Sequence, residues 1–498
     1  MMKWSSFFAA ATGITAIAMV GCAVGPDFHT PAPPAAGSYT ASPLPQETAA
    51  APTDGGAAQH LDFTRELSAQ WWKMFRSPAL DALIEHGLEK NPSLSAAEAA
   101  VNEARENLRA AGGTLLYPAV DANLSAARDK ISGLPYKTGS STFNMLNPSV
   151  NVSYTLDAFG ASRRQLEALG AQVDFQQFQY EGAYLTLTSN LVTTAIQEAS
   201  LRAQIAATNE ILAAEQKELT LVERQYELGA VAQASVLSQQ SELARTRASL
   251  PVLMKQLAFT RHALTALAGD LPGEGELPTF TLEALHLPET LPVSLPSALV
   301  RQRPDIRASE ALFHQASAMV GVATANLYPQ ITLSGSYGFE SSSLGDLFTN
   351  QNSIWSLGGG VLQPLFHGGA LEAKRRGSIE AYNQAASQYR LTVIQAFQNV
   401  ADALRALDND AQTLQAQAQA ESAAQATLDL TQRQFKIGAV NYLTLLVAQR
   451  DYQQTLIGLI TARAQRFADT ATLFQALGGG WWNRSPAVDG SVTEKNNN

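Results

Sequence analysis

The chain has 498 residues, of which 46% are hydrophobic and 16% are charged, and its net charge is −10. A chain this acidic is repelled by phosphate backbones, which argues against a nucleic-acid-binding protein. One cysteine and seven histidines allow neither an intrachain disulfide nor a recognisable metal cluster. Beyond the N-terminus there is no apolar run of about 18 residues, which excludes a helical transporter.

The first 21 residues have the features of a bacterial signal peptide. Lys3 precedes an apolar stretch that ends at Val20, and Cys22 follows two positions later. This ending resembles a lipoprotein signal, in which the cysteine is acylated and becomes the new N-terminus. Cys22 is therefore the expected lipid attachment site, and Ala23 after it favours sorting to the outer membrane. An ordinary secretory signal with a chance cysteine is the alternative.

Residues 22–60 form a lipidated segment of low complexity. It carries seven prolines among alanine, glycine, serine and threonine. Such a composition can bury little apolar surface, so we expect an extended tether or a strap that wraps around the rest of the chain.

An internal duplication organises the remainder. Residues 224–231 (RQYELGAV) match residues 433–440 (RQFKIGAV), and a Leu-Tyr-Pro sequence occurs at both 116–118 and 327–329. A period near 210 residues indicates two structural halves rather than a short solenoid repeat. We place the boundaries of the chain's parts at 61–270 for the first repeat, 271–297 for a linker or equatorial segment, 298–480 for the second repeat and 481–498 for a flexible tail.

Each half is predicted to contain one medium, one very long and one shorter helix. Long proline-free stretches and helical spacing of apolar residues support this reading. At 1.5 Å per residue the long helices span about 100 Å, and the two shorter ones end to end match that length. The predicted helices cover residues 93–114, 161–226, 232–269, 304–327, 369–436 and 441–477, and Pro251 is expected to kink the third.

Two strand-like segments lie in each half, near 119–129, 148–159, 329–340 and 354–366. Polar and apolar residues alternate along them, and each is about as long as a tilted transmembrane strand. A small soluble sheet with one buried face is the alternative. If the strands span a membrane, the chain must oligomerise, because open sheet edges are not tolerated in lipid. The intervening segments 130–147 and 341–353 are predicted to be polar outer loops. The candidates for the lumen-facing residues are Asp121, Asn123, Asn151, Ser153, Thr155, Thr332 and Ser334.

Several short sequences, each weak alone, occur in an order that resembles a known family. They are Trp71-Trp72, Pro78-Ala79-Leu80-Asp81, Arg303-Pro304-Asp305-Ile306, the two Leu-Tyr-Pro sequences, Asn441-Tyr442-Leu443-Thr444-Leu445-Leu446 and Ala476-Leu477-Gly478-Gly479-Gly480-Trp481. From about residue 22 to 481 the chain resembles the TolC-like outer-membrane efflux factors, and most of all their lipidated OprM/NodT branch.

The resemblance implies an α+β membrane protein that assembles as a homotrimer. Four strands per chain would make one 12-stranded transmembrane β-barrel, continued by a long periplasmic α-helical barrel. Trp71, Trp72 and the 271–297 segment would belong to a belt around the helices, although the tryptophans are more simply core anchors.

The implied function is that of a passive exit duct in a tripartite efflux or secretion system. Its partners would be a periplasmic adaptor and an inner-membrane pump of the resistance-nodulation-division type, with no cofactor besides the lipid on Cys22. A periplasmic coiled-coil lipoprotein without a pore is the alternative. An enzyme is disfavoured, because the sequence has no nucleophile motif, metal-ligand cluster or phosphate loop.

The resemblance also implies that the two glycine turns are the periplasmic tips that contact the adaptor. Helix-hairpin turns without a contact role are the alternative. These tip residues are Gly229, Ala230, Val231, Gly438, Ala439 and Val440. In relatives, aspartates after the tips ring the closed aperture, but here the matching positions are Ser235, Thr444 and Val447. We therefore expect closure by packing and neutral hydrogen bonds, with Leu446 also near the constriction.

Overall fold

The computed structural model describes residues 23–132, 139–274 and 277–484. The predicted signal peptide, Cys22 and residues 485–498 of the predicted tail lie outside the described residues. The chain folds into two compact units. The first contains residues 23–31, 99–177 and 308–390, and the second contains residues 32–98, 178–307 and 391–484.

The two halves of the sequence repeat one order of elements, as the duplication predicts. The first half consists of β1 (His60–Asp62), a 3-10 turn (Trp71–Phe75), α1 (Pro78–Lys90), α2 (Pro92–Leu116), β2 (Ala119–Ile131), β3 (Ser141–Leu156), α3 (Ala161–Glu227) and α4 (Gln233–Ala268). The linker and the second half consist of β4 (Thr290–Pro292), α5 (Pro296–Gln302), α6 (Pro304–Ala325), β5 (Gln330–Phe339), β6 (Ser353–Leu362), α7 (Ala370–Lys436) and α8 (Tyr442–Ala476).

The very long helices, α3 and α7, have 67 residues each. Their bounds lie within one residue of those predicted from the proline-free stretches. Pro251 lies inside α4, which remains helical on both sides of it. In the described part of the chain, no helix combines the length and the apolar character that crossing a bilayer requires.

Strands β2, β3, β5 and β6 form one antiparallel sheet in that order, within the first unit. All four predicted strands are present, but β3 ends at Leu156 and β6 at Leu362, before the predicted ends at 159 and 366, and the predicted outer loop 130–147 is wrong in extent. The β2–β3 hairpin continues to the pair Ile131 and Ser141, so pairing of the backbone extends well into the polar segment. Within the loop 341–353, Asn352 Nδ2 donates to the Asp346 carbonyl at 2.7 Å.

The core of the second unit is built around Trp71 and Trp72, each 1% exposed. Trp71 packs on Phe474 of α8 with ring centroids 5.6 Å apart. The tryptophans are therefore core anchors. The linker joins this core through β4, which pairs in parallel with β1. The predicted flexible tail begins later than expected, because Trp481 Nε1 donates to the Gln302 carbonyl at 2.6 Å.

Residues 32–60 are a strap and not a free tether. The Tyr39 hydroxyl donates to the Ser294 carbonyl at 2.8 Å. Ala51 is buried in a small apolar cluster with Leu414. The fully buried Arg466 donates to the Ala57 carbonyl at 2.7 Å. Polar backbone groups of the strap are thus satisfied by the second unit.

Candidate functional site: two helical turns and one face of the sheet

The two turns that carry the Gly-Ala-Val sequence have the same geometry. Gly229 has φ +73° and Gly438 has φ +74°, a left-handed conformation that costs glycine little. The Gly229 amide donates to the Tyr226 carbonyl at 2.9 Å, and the Gly438 amide donates to the Phe435 carbonyl at 3.0 Å. Each turn thereby ends a 67-residue helix and starts the shorter helix of its hairpin.

The residue before each glycine is an exposed aliphatic side chain. Leu228 is 71% exposed and Ile437 is 80% exposed. Ala230 and Ala439 are exposed as well, whereas Val231 and Val440 pack inward. Sequence reasoning missed Leu228 and Ile437, although their identical place in the duplicated eight-residue sequence could have indicated them. We call the surface formed by Leu228, Gly229, Ala230, Ile437, Gly438 and Ala439 the tip surface.

A shared apolar cluster supports both turns. It draws residues from all four helices of the two hairpins, namely Leu219, Val222, Val236, Leu243, Phe435, Tyr442, Leu445 and Leu446. Because one cluster serves both hairpins, the two turns are held in a fixed relation within the second unit. Leu446 is 3% exposed within this cluster. Leu446 would therefore contribute to an aperture through packing of the helices, and not by lining the opening.

A buried polar network lies next to the cluster. The Tyr442 hydroxyl donates to Gln239 Oε1, and Gln239 Nε2 donates to the Glu215 carbonyl at 3.0 Å. Thr246 Oγ1 donates to Glu215 Oε1 at 3.0 Å. Burial raises the pKa of Glu215, and it also raises the pKa of Glu218. Sequence reasoning missed buried Glu215 and half-buried Glu218, because nothing in their spacing marks them.

The remaining aperture candidates lie at the start of the short helices. Thr444 is exposed, and both its amide and its hydroxyl donate to Asn441 Oδ1, at 3.0 and 3.1 Å. Asn441 therefore caps α8. Val447 is 50% exposed and Ser235 is half-buried.

The two turns differ in charge at one equivalent position. Glu227 precedes Leu228, whereas Lys436 precedes Ile437. Glu227 accepts from exposed Arg224 at 2.8 Å, and Lys436 is exposed. A partner that contacts both turns thus meets similar apolar shapes with different local charges.

The predicted lumen residues share one face of the sheet. Directly opposed residues project to the same side of a sheet, so the strand register shows which residues share a face. Asp121 lies opposite Asn151, Ser153 opposite Ser334, and Thr155 opposite Thr332. Asn123 continues the same alternation along β2. A hydrogen bond of 2.8 Å between Ser336 Oγ and Ser356 Oγ carries the polar row onto β6.

Two glycines of β6 complete this polar face. Gly358 lies opposite Ser334 and Gly360 opposite Thr332. A Cβ at either position would lie 3.2 Å from the hydroxyl of its neighbour. The absence of side chains at these two positions therefore leaves room for the neighbouring hydroxyls.

The opposite face of the sheet is apolar and exposed. Val120, Tyr337, Trp355, Leu357 and Val361 are 56–83% exposed. A soluble sheet would bury such a face against a core, whereas a lipid-facing sheet leaves it open. Among the described residues, no group of three or more histidine, cysteine or acidic side chains is arranged to hold a metal ion.

These features agree with the relatives of the chain. Residues 83–270 and 295–479 match the family described as outer membrane efflux protein. The chain is 31% identical over 422 residues to the pyoverdine export outer membrane protein OpmQ of Pseudomonas aeruginosa, covering 83% of this chain and 87% of that protein. It is 29% identical over 476 residues to the toluene efflux pump outer membrane protein TtgC of Pseudomonas putida, covering 95% of each.

A solved structure shares the fold as well. The outer-membrane channel OprN superposes with a TM-score of 0.83 at 27% identity, covering 92% of this chain and 100% of that chain. The chain belongs to the outer membrane efflux protein family. It is an outer-membrane efflux channel with a large periplasmic part, and the alternative of a scaffold without a pore is not supported. The predicted class, that of the trimeric TolC-like channels, is thereby confirmed at the level of one chain.

Proposed function

We propose that this channel is the passive exit duct of a tripartite machine whose pump is of the resistance-nodulation-division type. The observation that carries the proposal is the tip surface, where two turns of the same backbone geometry project exposed aliphatic side chains. Exposed apolar side chains that recur at both turns provide a surface that an apolar partner can cover. A periplasmic adaptor with apolar helical tips fits this surface.

We propose that the transmembrane pore forms between three chains. One chain supplies four strands whose polar and apolar faces are separated, and its two edge strands each have a single neighbour among the described strands. Pairing β2 of one chain with β6 of the next would satisfy the open edges. Twelve strands would then enclose the hydroxyl-lined face.

We propose that Cys22 carries the lipid anchor and that export requires no cofactor and no catalysis by this chain. Energy would come from the pump. The support for lipidation is the resemblance of residues 1–22 to a lipoprotein signal. The mass of the N-terminal peptide from isolated outer membranes tests it, since acylation adds a defined increment.

The cargo is proposed to be set mainly by the pump. OpmQ and TtgC are named for pyoverdine and for toluene, which have little chemistry in common. The polar face of the present sheet carries mainly hydroxyls and amides, together with two carboxylates of β2, Asp121 and Asp129. Such a lining hydrates the path without building a selective binding site.

We propose that the closed aperture relies on packing and neutral hydrogen bonds. The positions at which relatives carry aspartates hold Ser235, Thr444 and Val447 here. Planar-bilayer conductance tests this, since an aperture without an acidic ring should be little affected by divalent cations on the periplasmic side. Strong block from that side would count against the proposal.

The docking role is tested with a charge placed in the tip surface. Ala439→Asp should abolish export while leaving the protein in the outer membrane. Burial of a carboxylate against an apolar partner carries a large desolvation free energy, which would prevent docking. The matched control is Ala420→Asp, an exposed alanine 19 positions earlier on α7, the helix that precedes this turn. Chemical crosslinking to the adaptor in cells should fall in the first variant and not in the second.

Export by Ala439→Asp at the normal rate and normal abundance would show that the turns do not dock the adaptor. Loss of export in both variants would indicate a general effect of charge on α7 and would equally contradict the assignment.

A further inference from the structure

The first residues after Cys22 are held firmly by the first unit. The Val24 amide donates to the Phe159 carbonyl at 3.1 Å, immediately after β3 ends. Gly25 approaches α6 so closely that a Cβ on it would lie 2.4 Å from the Cα of Gly321. Contacts of this kind require a definite path of the backbone, which agrees with a strap, one of the two alternatives that the composition left open.

A buried arginine on α3 fixes the same segment. The Arg164 side chain is 7% exposed and forms ion pairs with Asp27 at 2.5 Å and with Glu167 at 2.7 Å. Its Nε donates to the Val24 carbonyl at 3.4 Å. The guanidinium holds the pKa of Asp27 below its usual value. One side chain thus connects the backbone and the carboxylate of the segment.

Aromatic residues of α6 also contact the N-terminal segment. Phe28 stacks on His314 with ring centroids 4.5 Å apart and meets Phe313 edge-on at 5.4 Å. His314 Nε2 in turn lies 2.8 Å from Glu167 Oε1. Glu167 therefore links the arginine that binds Asp27 to the imidazole that supports Phe28, so the two contacts act together.

We propose that α3 and α6 form a docking site for the chain's own N-terminal segment, residues 23–28, and that this site turns a flexible lipid tether into a rigid anchor. Each residue of a free segment could extend by about 3.3–3.6 Å, so an undocked tether would leave the sheet free to move relative to its lipid. Docking instead brings the residue bonded to Cys22 to the end of β3. Arg164 is the central positioning residue.

The docking itself does not depend on acylation, but its role as an anchor rests on the proposed lipidation of Cys22. The two are separated by experiment. Mass spectrometry of the N-terminal peptide reports lipidation, whereas amide exchange in residues 23–31 reports docking.

The test is hydrogen–deuterium exchange of the full mature chain purified from outer membranes in detergent. In the wild type the Val24 amide should be protected. Arg164→Gln should raise its exchange rate roughly ten-fold or more, because the buried charge-assisted contacts to the segment are lost. The matched control is Arg109→Gln, which removes an arginine whose ion pair with Glu106 is exposed on α2 of the same unit. Exchange in the control should be unchanged.

A second variant keeps the test decisive if Arg164→Gln fails to fold. Phe28→Ala lies in the segment itself and removes the stacking on His314 without altering α3 or α6. It should also expose residues 23–31 to exchange at unchanged helix content. Rapid exchange of this segment in the wild type, or full protection in Phe28→Ala, would overturn the proposal.

Discussion

Arg450 of α8 and Glu242 of α4 form an ion pair that joins the two helical hairpins, with Arg450 Nε donating to Glu242 Oε2 at 2.8 Å. The Glu242 side chain is 6% exposed, whereas that of Arg450 is 42% exposed. The pair lies on the helices that also supply the apolar cluster behind the tip surface. A buried carboxylate depends on its partner far more than an exposed arginine does.

Removal of this arginine should loosen the hairpins. We predict that Arg450→Gln lowers the free energy of unfolding by roughly 1–3 kcal/mol, because buried Glu242 then keeps only the more distant and exposed Arg245, at 3.8 Å. The measurement is the urea midpoint at fixed protein concentration. Arg433→Gln, an exposed arginine on α7, serves as the control. Recovery in the exchanged pair Glu242→Arg with Arg450→Glu is expected, and no difference between Arg450→Gln and the control would contradict the prediction.

A pair of carboxyl groups makes the stability of the helices depend on pH. Asp469 of α8 is 7% exposed, and burial together with the nearby Asp410 raises its pKa to about 7 from an ordinary value of 3.8. The folded chain therefore holds a proton that the unfolded chain releases between about pH 4 and pH 7. Stability should be greatest at the acid end of this window and decline as pH rises through about 7, by at most about 1.4 kcal/mol per pH unit.

The variant Asp469→Asn should remove this dependence, since the amide stays neutral at every pH. Its unfolding midpoint should exceed that of the wild type at pH 8 and approach it at pH 5. Asp402→Asn, at an exposed position of α7, is the control and should keep the wild-type slope. A slope in Asp469→Asn equal to that of the wild type would show that another group is responsible.

The same substitution should have opposite effects at two glycines of α7 and its turn. Gly438→Ala should destabilise the hairpin by roughly 1–2 kcal/mol, because alanine disfavours φ +74° even though no atom crowds the new methyl group. Gly377→Ala, inside α7 and equally uncrowded, should instead stabilise by up to about 1 kcal/mol. Thermal unfolding monitored by circular dichroism gives the midpoint temperature of each variant. Equal shifts of the two midpoints in the same direction would contradict the prediction.

Neighbouring residues of β6 should respond differently to a positive charge. Leu357 lies on the exposed apolar face, so Leu357→Lys should cost roughly 2–4 kcal/mol near the bilayer midplane and less towards the interfaces. The amount of detergent-resistant oligomer in outer membranes should fall. Ser356→Lys adds the same charge to the polar face and should assemble normally while reducing cation conductance. Normal assembly of Leu357→Lys would contradict the assignment of the lipid face.

Periodicity and duplication predicted most of the fold. The 67-residue helices follow from stretches without proline, and the face shared by Asp121, Asn151 and Ser336 follows from strict alternation, which the register then bears out. The repeated Gly-Ala-Val sequence likewise predicted two turns of one geometry. These features depend on local rules that act within one element.

Contacts between distant segments could not be predicted in this way. The length of the β2–β3 hairpin depends on pairing across a polar loop, and the burial of Leu446 depends on three other helices. The buried position of Glu215 and the docking of Phe28 on His314 likewise result from tertiary packing, which leaves no periodic trace in the sequence.

Strands β2 and β6 each have one neighbour among the described strands, so one edge of each is unpaired. These open edges have a consequence for biogenesis. A lone chain that entered lipid would expose two rows of backbone groups to a solvent that cannot hydrogen-bond them. Insertion into the membrane and association of the chains are therefore expected to occur together. The rate of insertion should then depend on the concentration of chains with a kinetic order above one. Channel number should then fall more steeply than expression when synthesis is reduced, and unassembled chains should be the species that periplasmic proteases remove.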